Sequence, residues 1–577
     1  MQAPTQYRGT GSSHELAALM VTEVIQSSKT KNLPVFLLFL DAKSAFDLIV
    51  TEYLVRNLYT SGVTGDALLF FNHRLCNRKT FCEWDKTLMG PIYDQHGTEQ
   101  GGINSGDLYK LYNNELLEVL QSSKQGVYLG DSLVVSAIGQ ADDVVLCSNN
   151  LYMLYNLLLL ALDYCQKYSV QLSATKTKLM LITEKVEHKV FPLNPIRIGP
   201  NPITFTSEAE HVGVVRSTSG NLPNILNRIS CSKKALNATL AFGLSKGHRS
   251  NPAATLHVLK VYGTPVLMSG LASLVLSSME VTMIHQHHKN TVRSLQKLHN
   301  STPQSVIFFM GGCLPATATL HLRQLTNFAM VTRMPNNPLH SHAWHVLTTA
   351  KGSSISWFYQ IRNLCKQYGL PHPLAFLKSP LTKYQYKKLL RSKIIDYWEQ
   401  KLRAEASLLS SLEYFRPDFM SLTHSHPIWW TGGSNPCEIT KAVIQRRMLS
   451  GRFRAGLLTS NWSDSKDSSC LSCGAQVETL QHVLLECTAY SEMRSKVIKK
   501  WHSVQDGVVA QLALDALSMP PGHLMQFILD ATVLPLVRLA VSFFGKDLLC
   551  PLLSLTRTWC YSLHRERLRI LGVMKYG

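Results

Sequence analysis

The chain reads as an α+β protein, and three features of the sequence predict it. Val35–Leu40 (VFLLFL) is an unbroken apolar run ending on Asp41, the pattern of a central strand covered on both faces. Leu133–Ile138 and Val144–Cys147 flank Gly-Gln-Ala-Asp-Asp, which predicts a hairpin with acids at its tip. Beyond about residue 215 the strand signals stop, and helical spacing dominates the rest.

The elements follow in order. Leu16, Leu19, Met20 and Val24, with Glu15 early, give residues 13–27 helical spacing, and Asn32–Pro34 breaks it. Ala45–Tyr59 and Asp66–Leu75 read as helices. Gly97–Gly102 is a glycine-rich turn before a helix from Asp107 to Gln121. A helix over 151–167 and a strand at Leu179–Thr183 complete the mixed part. Helical runs at 223–245, 252–277 and 280–300 are rich in Lys, Arg and His. Pro, Gly, Ser and His cluster at 300–316, 334–343 and 416–436, which predicts linkers or boundaries. Lys383–Leu412 and Thr440–Leu458 are basic helices, a Cys/His module occupies 470–487, and an apolar helical tail follows. The sequence has no internal repeats and no long low-complexity segment.

The bulk numbers bound the function. A length of 577 residues predicts three or four units. Hydrophobic residues at 45% exclude general disorder. Lys plus Arg is 58 against 38 Asp plus Glu, a net +20 that favours a polyanionic partner, nucleic acid before anionic membrane. A basic protein without such a partner is the alternative that charge leaves open. The 13 cysteines are odd in number and scattered, which suits a reducing compartment with one metal site. The start, MQAPTQYRGTGSSHELAALM, has no signal-peptide core. The apolar stretch near Leu151–Leu162 is too short to span a bilayer, so no membrane partner is expected.

Asp41 closes a buried strand and Asp142–Asp143 occupy a hairpin tip. A carboxylate there is costly unless something neutralises it. Successive side chains at the tip point apart, so one of the pair can meet Asp41 around divalent metal. Mg2+ keeps several waters, so two or three carboxylates suffice for a two-ion nucleotidyl-transfer site.

The order of the surrounding segments resembles the reverse transcriptase palm, specifically that of non-LTR (LINE-type) retrotransposons. FLLFLDAKSAFD is similar to the first catalytic motif, with Asp41 as metal ligand and Phe46 as the gate that rejects a ribose 2′-hydroxyl. EQGGINSGDLYKLYNNE resembles the next motif, with Gln100, Gly101 and Ser105 supporting template and incoming nucleotide. GQADDVVL matches the A-D-D turn, making Asp41, Asp142 and Asp143 the implied catalytic acids. CQKYSVQLSATKTKLMLI resembles the lysine motif, with Lys176 near the triphosphate. EAEHVGVV, around Gly213, resembles the primer-grip hairpin, and QYRGTGSSHEL the last fingers segment. Gln140, Gly106 and Ser173 depart from the usual aromatic, proline and asparagine, and none of these removes a metal ligand. The segments expected before Gln6, with a basic residue facing the triphosphate, are missing, and so is an upstream endonuclease. The expectation is therefore an N-terminally truncated copy, with Arg8 a candidate substitute for the missing charge.

CLSCGAQVETLQHVLLEC gives Cys470-x2-Cys473-x8-His482-x4-Cys487. Four N/S ligands with no open position describe a structural Zn2+ site, and the spacing resembles the C-terminal Cys-Cys-His-Cys module of the same family. Lys441, Arg446, Arg447, Arg452 and Arg454, with Phe453, precede it. They suit phosphate contact and base stacking, or equally a solvated helical face. Lys383–Arg391 is ambiguous in the same way, and HQHHK at 285–289 reads as a polar surface.

The resemblance implies a right-hand polymerase: fingers remnant 1–34, palm 35–215, helical thumb 216–330, basic helical connector 331–460, zinc module 461–500 and helical tail 501–577. The implied reaction is RNA-templated extension of a DNA 3′-end from dNTPs, with two Mg2+ ions catalytic and Zn2+ structural. The implied partners are an RNA template and a DNA primer or target. The chemistry is expected in the nucleus, after cytoplasmic translation. A non-catalytic remnant that only binds nucleic acid is the competing expectation. An intron maturase or telomerase-like enzyme shares the palm but is disfavoured by the Cys/His module.

Overall fold

The structure is a computed structural model. It describes residues 3–7, 13–76, 78–94, 96–99, 102–130, 133–184, 196–241, 250–349, 354–453, 468–505 and 507–572. Two compact units form, and neither is continuous in sequence. The first takes Met1–Arg228, Met268–Glu280 and Leu320–Lys393, and the second Ile229–Leu267, Val281–Thr319 and Ile394–Gly577.

The first unit is built on helix α1 (His14–Thr30), β1 (Val35–Leu40), α2 (Thr51–Thr60), α3 (Gly65–Cys76), β2 (Arg78–Trp84), β3 (Thr87–Asp94), α4 (Ser105–Ser122), β4 (Val127–Leu129), β5 (Leu133–Val135), β6 (Ala137–Gln140), β7 (Asp143–Ser148), α5 (Leu151–Lys167) and β8 (Lys178–Ile182). Five short strands follow: β9 (Arg197–Ile198), β10 (Asn201–Pro202), β11 (Thr204–Phe205), β12 (Glu208–His211) and β13 (Val214–Ser217). The main sheet has the order β11-β8-β1-β7-β6. The first described residues extend it: Gln6 bridges Gly139 in parallel, and Tyr7 N–H donates to the Gly139 carbonyl at 2.8 Å.

β1 sits in the middle and is buried at every position. Phe36, Leu38 and Leu40 join Leu116, Leu117, Leu154, Leu157 and Leu158 of α4 and α5 in one apolar cluster. α1 packs on β1 and β6 with its own buried side chains. Both faces are therefore covered, which is why β1 carries no polar alternation.

Three local expectations differ from the structure. The helix after Asp41 begins only at Thr51, because residues 43–47 turn, with Ser44 at φ 44°. The run Leu133–Ile138 is divided at Ser136: β5 pairs with β4, and β6 with β7. The β2–β3 hairpin was not anticipated, since its apolar residues lie on exposed strands with no buried face to impose a pattern.

The second unit is helical. Leu549–Ile570 packs against Pro436–Leu449, Ser491–His502 and Pro521–Asp530, with Trp559 and Trp501 rings 4.8 Å apart. The expected linker at 300–316 contains helix Gln304–Gly311, whose side chains Val306–Met310 are all buried. Residues 521–544 have the length and apolar composition to cross a membrane, and 39% of the most apolar 18 residues within them is buried inside the protein.

Candidate active site

The sheet register brings the acids together. Leu40 pairs with Val144 and Gln140 with Asp143, so Asp41, one step past β1, faces Asp143 at the start of β7. Asp142 follows Ala141 in the two-residue turn between β6 and β7. Ala141 takes a left-handed φ of 58°, uncommon for a residue with a Cβ, and Asn113 Nδ2 donates to its carbonyl at 3.2 Å. α4 therefore holds the turn in place.

Asp41 is clamped through its backbone. Its carbonyl accepts Ser173 N–H at 2.8 Å, and its N–H donates to Thr177 Oγ1 at 3.3 Å. Ser173 Oγ accepts the Lys176 N–H at 3.4 Å, and this turn carries Lys176 Nζ to 3.7 Å from Asp41 Oδ2. That oxygen is buried without a hydrogen-bond donor among the described residues. Asp143 is pushed up to about 6, first by desolvation and then by repulsion from Asp142, Asp41 and Glu210. A buried carboxylate oxygen without a hydrogen bond, among mutually repelling acids, is a donor set that fits a hard divalent cation.

Phe46 lies on the turn beyond Asp41, its ring 4.8 Å from that of Tyr109 on α4. Tyr109 is buried, and its hydroxyl is pushed up by burial and then by the charge of Asp142, so it stays neutral. Thr98 N–H donates to the Phe46 carbonyl at 2.8 Å, and Gly97 N–H to that of Ile49 at 2.7 Å. A Cβ on Gly97, at φ 89°, would meet Asp47 backbone at 2.8 Å, so glycine is required there. Ser105 opens α4 with its hydroxyl on the Glu99 carbonyl at 2.5 Å, in a turn-forming role. Gln100 and Gly101 lie outside the described residues, as do Arg8 and Arg454.

In the second unit, the ligand atoms of Cys470, Cys473, His482 and Cys487 all lie within 4.8 Å of one another. Cys470 Sγ is 3.9 Å from Cys487 Sγ, close to the roughly 3.8 Å edge of a tetrahedron with Zn–S bonds of about 2.3 Å. The Cys-x2-Cys turn closes through Gly474, at φ 77°, whose N–H donates to the Cys470 carbonyl at 2.8 Å. Cys473 is drawn down to about 7, chiefly by the Ala475 N–H, whereas burial pushes Cys487 up to about 12. Three thiols and an imidazole so placed fit one tetrahedral ion. Sequence reasoning missed the support: buried Glu478 lies 3.6 Å from Cys470 Sγ and takes a bidentate contact from Arg567 at 3.0 and 2.8 Å. A lone glutamate between two cysteines carries no pattern that marks it.

The basic helix before the cluster is only partly a surface. Arg446 is fully buried beside Asp530, Phe453 is buried against His564, and Lys441 pairs with Glu438 at 2.7 Å. These three are not free to contact phosphate or stack on a base, and Arg447 is the exposed cation of helix Pro436–Leu449 that remains. HQHHK is not uniformly surface either, since His288 is buried and stacked on Phe308. Lys383, Lys387, Lys388 and Arg391 are exposed.

Residues 6–211 match the family model described as reverse transcriptase (RNA-dependent DNA polymerase). The chain therefore carries a reverse transcriptase domain. No curated protein matches the chain. Among solved structures it is similar to an apo telomerase from Candida tropicalis, at 12% identity and a TM-score of 0.30, covering 62% of this chain and 58% of that one. It is also similar to a telomerase from Candida albicans in complex with a TWJ fragment of telomeric RNA, at 10% identity and a TM-score of 0.24, covering 56% and 53%. The chain thus spans less than two thirds of the length of either.

Proposed function

We propose that this reverse transcriptase domain extends a DNA 3′-end on an RNA template, as the polymerase of a non-LTR retrotransposon. The observation that carries the reading is the register placing Asp41 opposite Asp143, next to Asp142, with a buried Asp41 oxygen that accepts no hydrogen bond among the described residues. Asp41 and Asp142 would hold Mg2+. Bound there, Mg2+ supplies Lewis-acid polarisation of the attacking hydroxyl and of the transferred phosphate.

The chain's own residues do the rest. Phe46, braced on Tyr109, is the wall against a ribose 2′-hydroxyl, which selects dNTPs. Lys176, 73% exposed on its side chain, pairs with Asp41 and is long enough to turn to a triphosphate oxygen instead. Asn113 and the Ser173–Thr177 turn hold the two acid-bearing backbones in place. On this reading residues 35–215 are the palm and 216–330 the thumb. Cys470, Cys473, His482 and Cys487 hold one structural Zn2+, and priming on target DNA puts the chemistry in the nucleus.

The test is primer extension on an RNA template with dNTPs. Mg2+-dependent extension that Asp142→Ala abolishes is the expected result. If wild type and variant bind RNA equally and neither extends a primer, the polymerase reading falls and a binding role remains.

A further inference from the structure

We propose that a basic cleft in the second unit binds the phosphodiester backbone of a nucleic-acid strand through residues other than those of the acidic cluster. The cleft encloses about 890 Å3. Its walls come from helix Leu222–Ala241, helix Ser278–Leu295 and helix Pro436–Leu449, with His564 from the long C-terminal helix. Lys233, Lys297 and Arg447 line it together with His287, Asn290 and His564, and among the described residues no Asp or Glu does.

Two of the three cations, Lys297 and Arg447, are anchored but not neutralised. Arg447 Nε and Nη2 both donate to the Lys297 carbonyl, at 3.3 and 3.0 Å, and Lys297 Nζ donates to the Ser250 carbonyl at 3.3 Å. Carbonyls fix their positions without cancelling charge. Elsewhere in this unit the guanidiniums of Arg403, Arg446, Arg557 and Arg567 each face a carboxylate. Among the described residues no such partner is within ion-pair distance of Lys233, Lys297 or Arg447. Burial disfavours the charged forms of Lys297 and Arg447, and an anion entering the cleft would relieve that cost.

The lining also indicates which anion. Burial and then the charge of Lys233 hold His287 low, while burial, Arg567 and Arg447 hold His564 at about 4. Both imidazoles are neutral at pH 7, and His564 Nδ1 is buried without a partner. Neutral imidazoles and Asn290 can hydrogen-bond sugar hydroxyls and phosphate oxygens while the three cations meet the charge. Among the described residues no Phe, Tyr or Trp lines the cleft, so they offer no platform for bases. Recognition is therefore of the backbone, independent of sequence.

The test measures fluorescence anisotropy of the zinc-loaded full chain with a short single-stranded RNA and the matching DNA, across a KCl series without Mg2+. Running it also in the Asp142→Ala background separates it from any failure of the polymerase reading. Each phosphate contact on a single strand contributes about 0.7 to the slope of log K against log salt. Lys233→Gln should lower the slope by about 0.7 with unchanged thermal melting, and Lys233→Gln/Arg447→Gln by about 1.4, with roughly tenfold or greater loss of affinity. Lys233→Arg should keep the wild-type slope. If RNA alone responds the site reads RNA, and if both strands respond it takes either; both outcomes support the proposal. Unchanged slopes in both variants overturn it. So does loss of inorganic phosphate binding, or of binding to phosphatidylcholine–phosphatidylserine vesicles, with strand binding intact.

Discussion

Replacing Asp530 by Ala removes the carboxylate beside a guanidinium that has no access to water. Arg446 and Asp530 are both 0% exposed on their side chains, with Nη1 and Oδ2 3.7 Å apart. Among the described residues, no acceptor lies within direct hydrogen-bond geometry of the Arg446 side-chain nitrogens, which leaves the Asp530 ion pair. At an effective dielectric of about 20, the pair is worth 332/(20 × 3.7), or about 4.5 kcal/mol. Breaking a buried pair from one side costs about 3–5 kcal/mol, so the two routes agree. Asp530→Ala also removes acceptors for His426 Nε2, at 3.2 Å, and Thr532 Oγ1, at 2.7 Å, so its loss should lie at the upper end. Asp530→Leu/Arg446→Met removes both charges and should stay within about 2 kcal/mol of wild type. Urea unfolding followed by tryptophan fluorescence measures the single variants and the double. A cost below about 1 kcal/mol for Asp530→Ala, or simple additivity in the cycle, refutes the argument. The pH arm has a definite sign. Burial alone would raise the Asp530 carboxyl, but His426 and Arg446 outweigh it and hold it well below the ordinary range. Its contribution is therefore present above about pH 4 and lost as pH falls further. RNA affinity should be unchanged in the double variant, because Arg446 is a core residue.

Removing the Cys/His ion with a strong chelator should release about one zinc per chain by mass spectrometry and expose amides over 470–490 to hydrogen exchange, with Cys473→Ser doing the same. Phe46→Ala should raise ribonucleotide incorporation roughly tenfold or more relative to dNTPs in single-turnover extension, and unchanged selectivity would remove Phe46 as the gate. Glu23→Ala leaves His342 Nε2, Ser356 Oγ and the Trp357 N–H, now bonded at 2.8, 2.7 and 2.8 Å, without their acceptor, and should cost about 3–5 kcal/mol in denaturant unfolding. His211 is buried with both ring nitrogens unpartnered and held at about 3, first by burial and then by Arg216. A lowered histidine stabilises above its unfolded value, so stability should fall between about pH 6.5 and 3, by at most about 1.4 kcal/mol per unit, and His211→Leu should flatten that slope.

The sequence by itself determined the elements whose pattern is local. VFLLFL announces a strand buried on both faces, the acids flank a turn, and Cys-x2-Cys with a following His and Cys marks a cluster, because periodicity, turn chemistry and ligand spacing act over a few residues. Helix 151–167 is where its spacing puts it. The tertiary structure alone decided which charges are exposed and which are core. Arg446 and Arg447 are neighbours on one helix with the same side chain, yet one is sealed against Asp530 and the other opens on a cleft that no described acid lines. A helix turns about 100° per residue, so adjacent positions face different environments, and those environments come from residues far away in the chain. The opposition of Asp41 and Asp143 is of the same kind. Each acid is visible at its strand end, but only the β1–β7 register, set by burial of alternate side chains on α4 and α5, puts the two residues opposite each other.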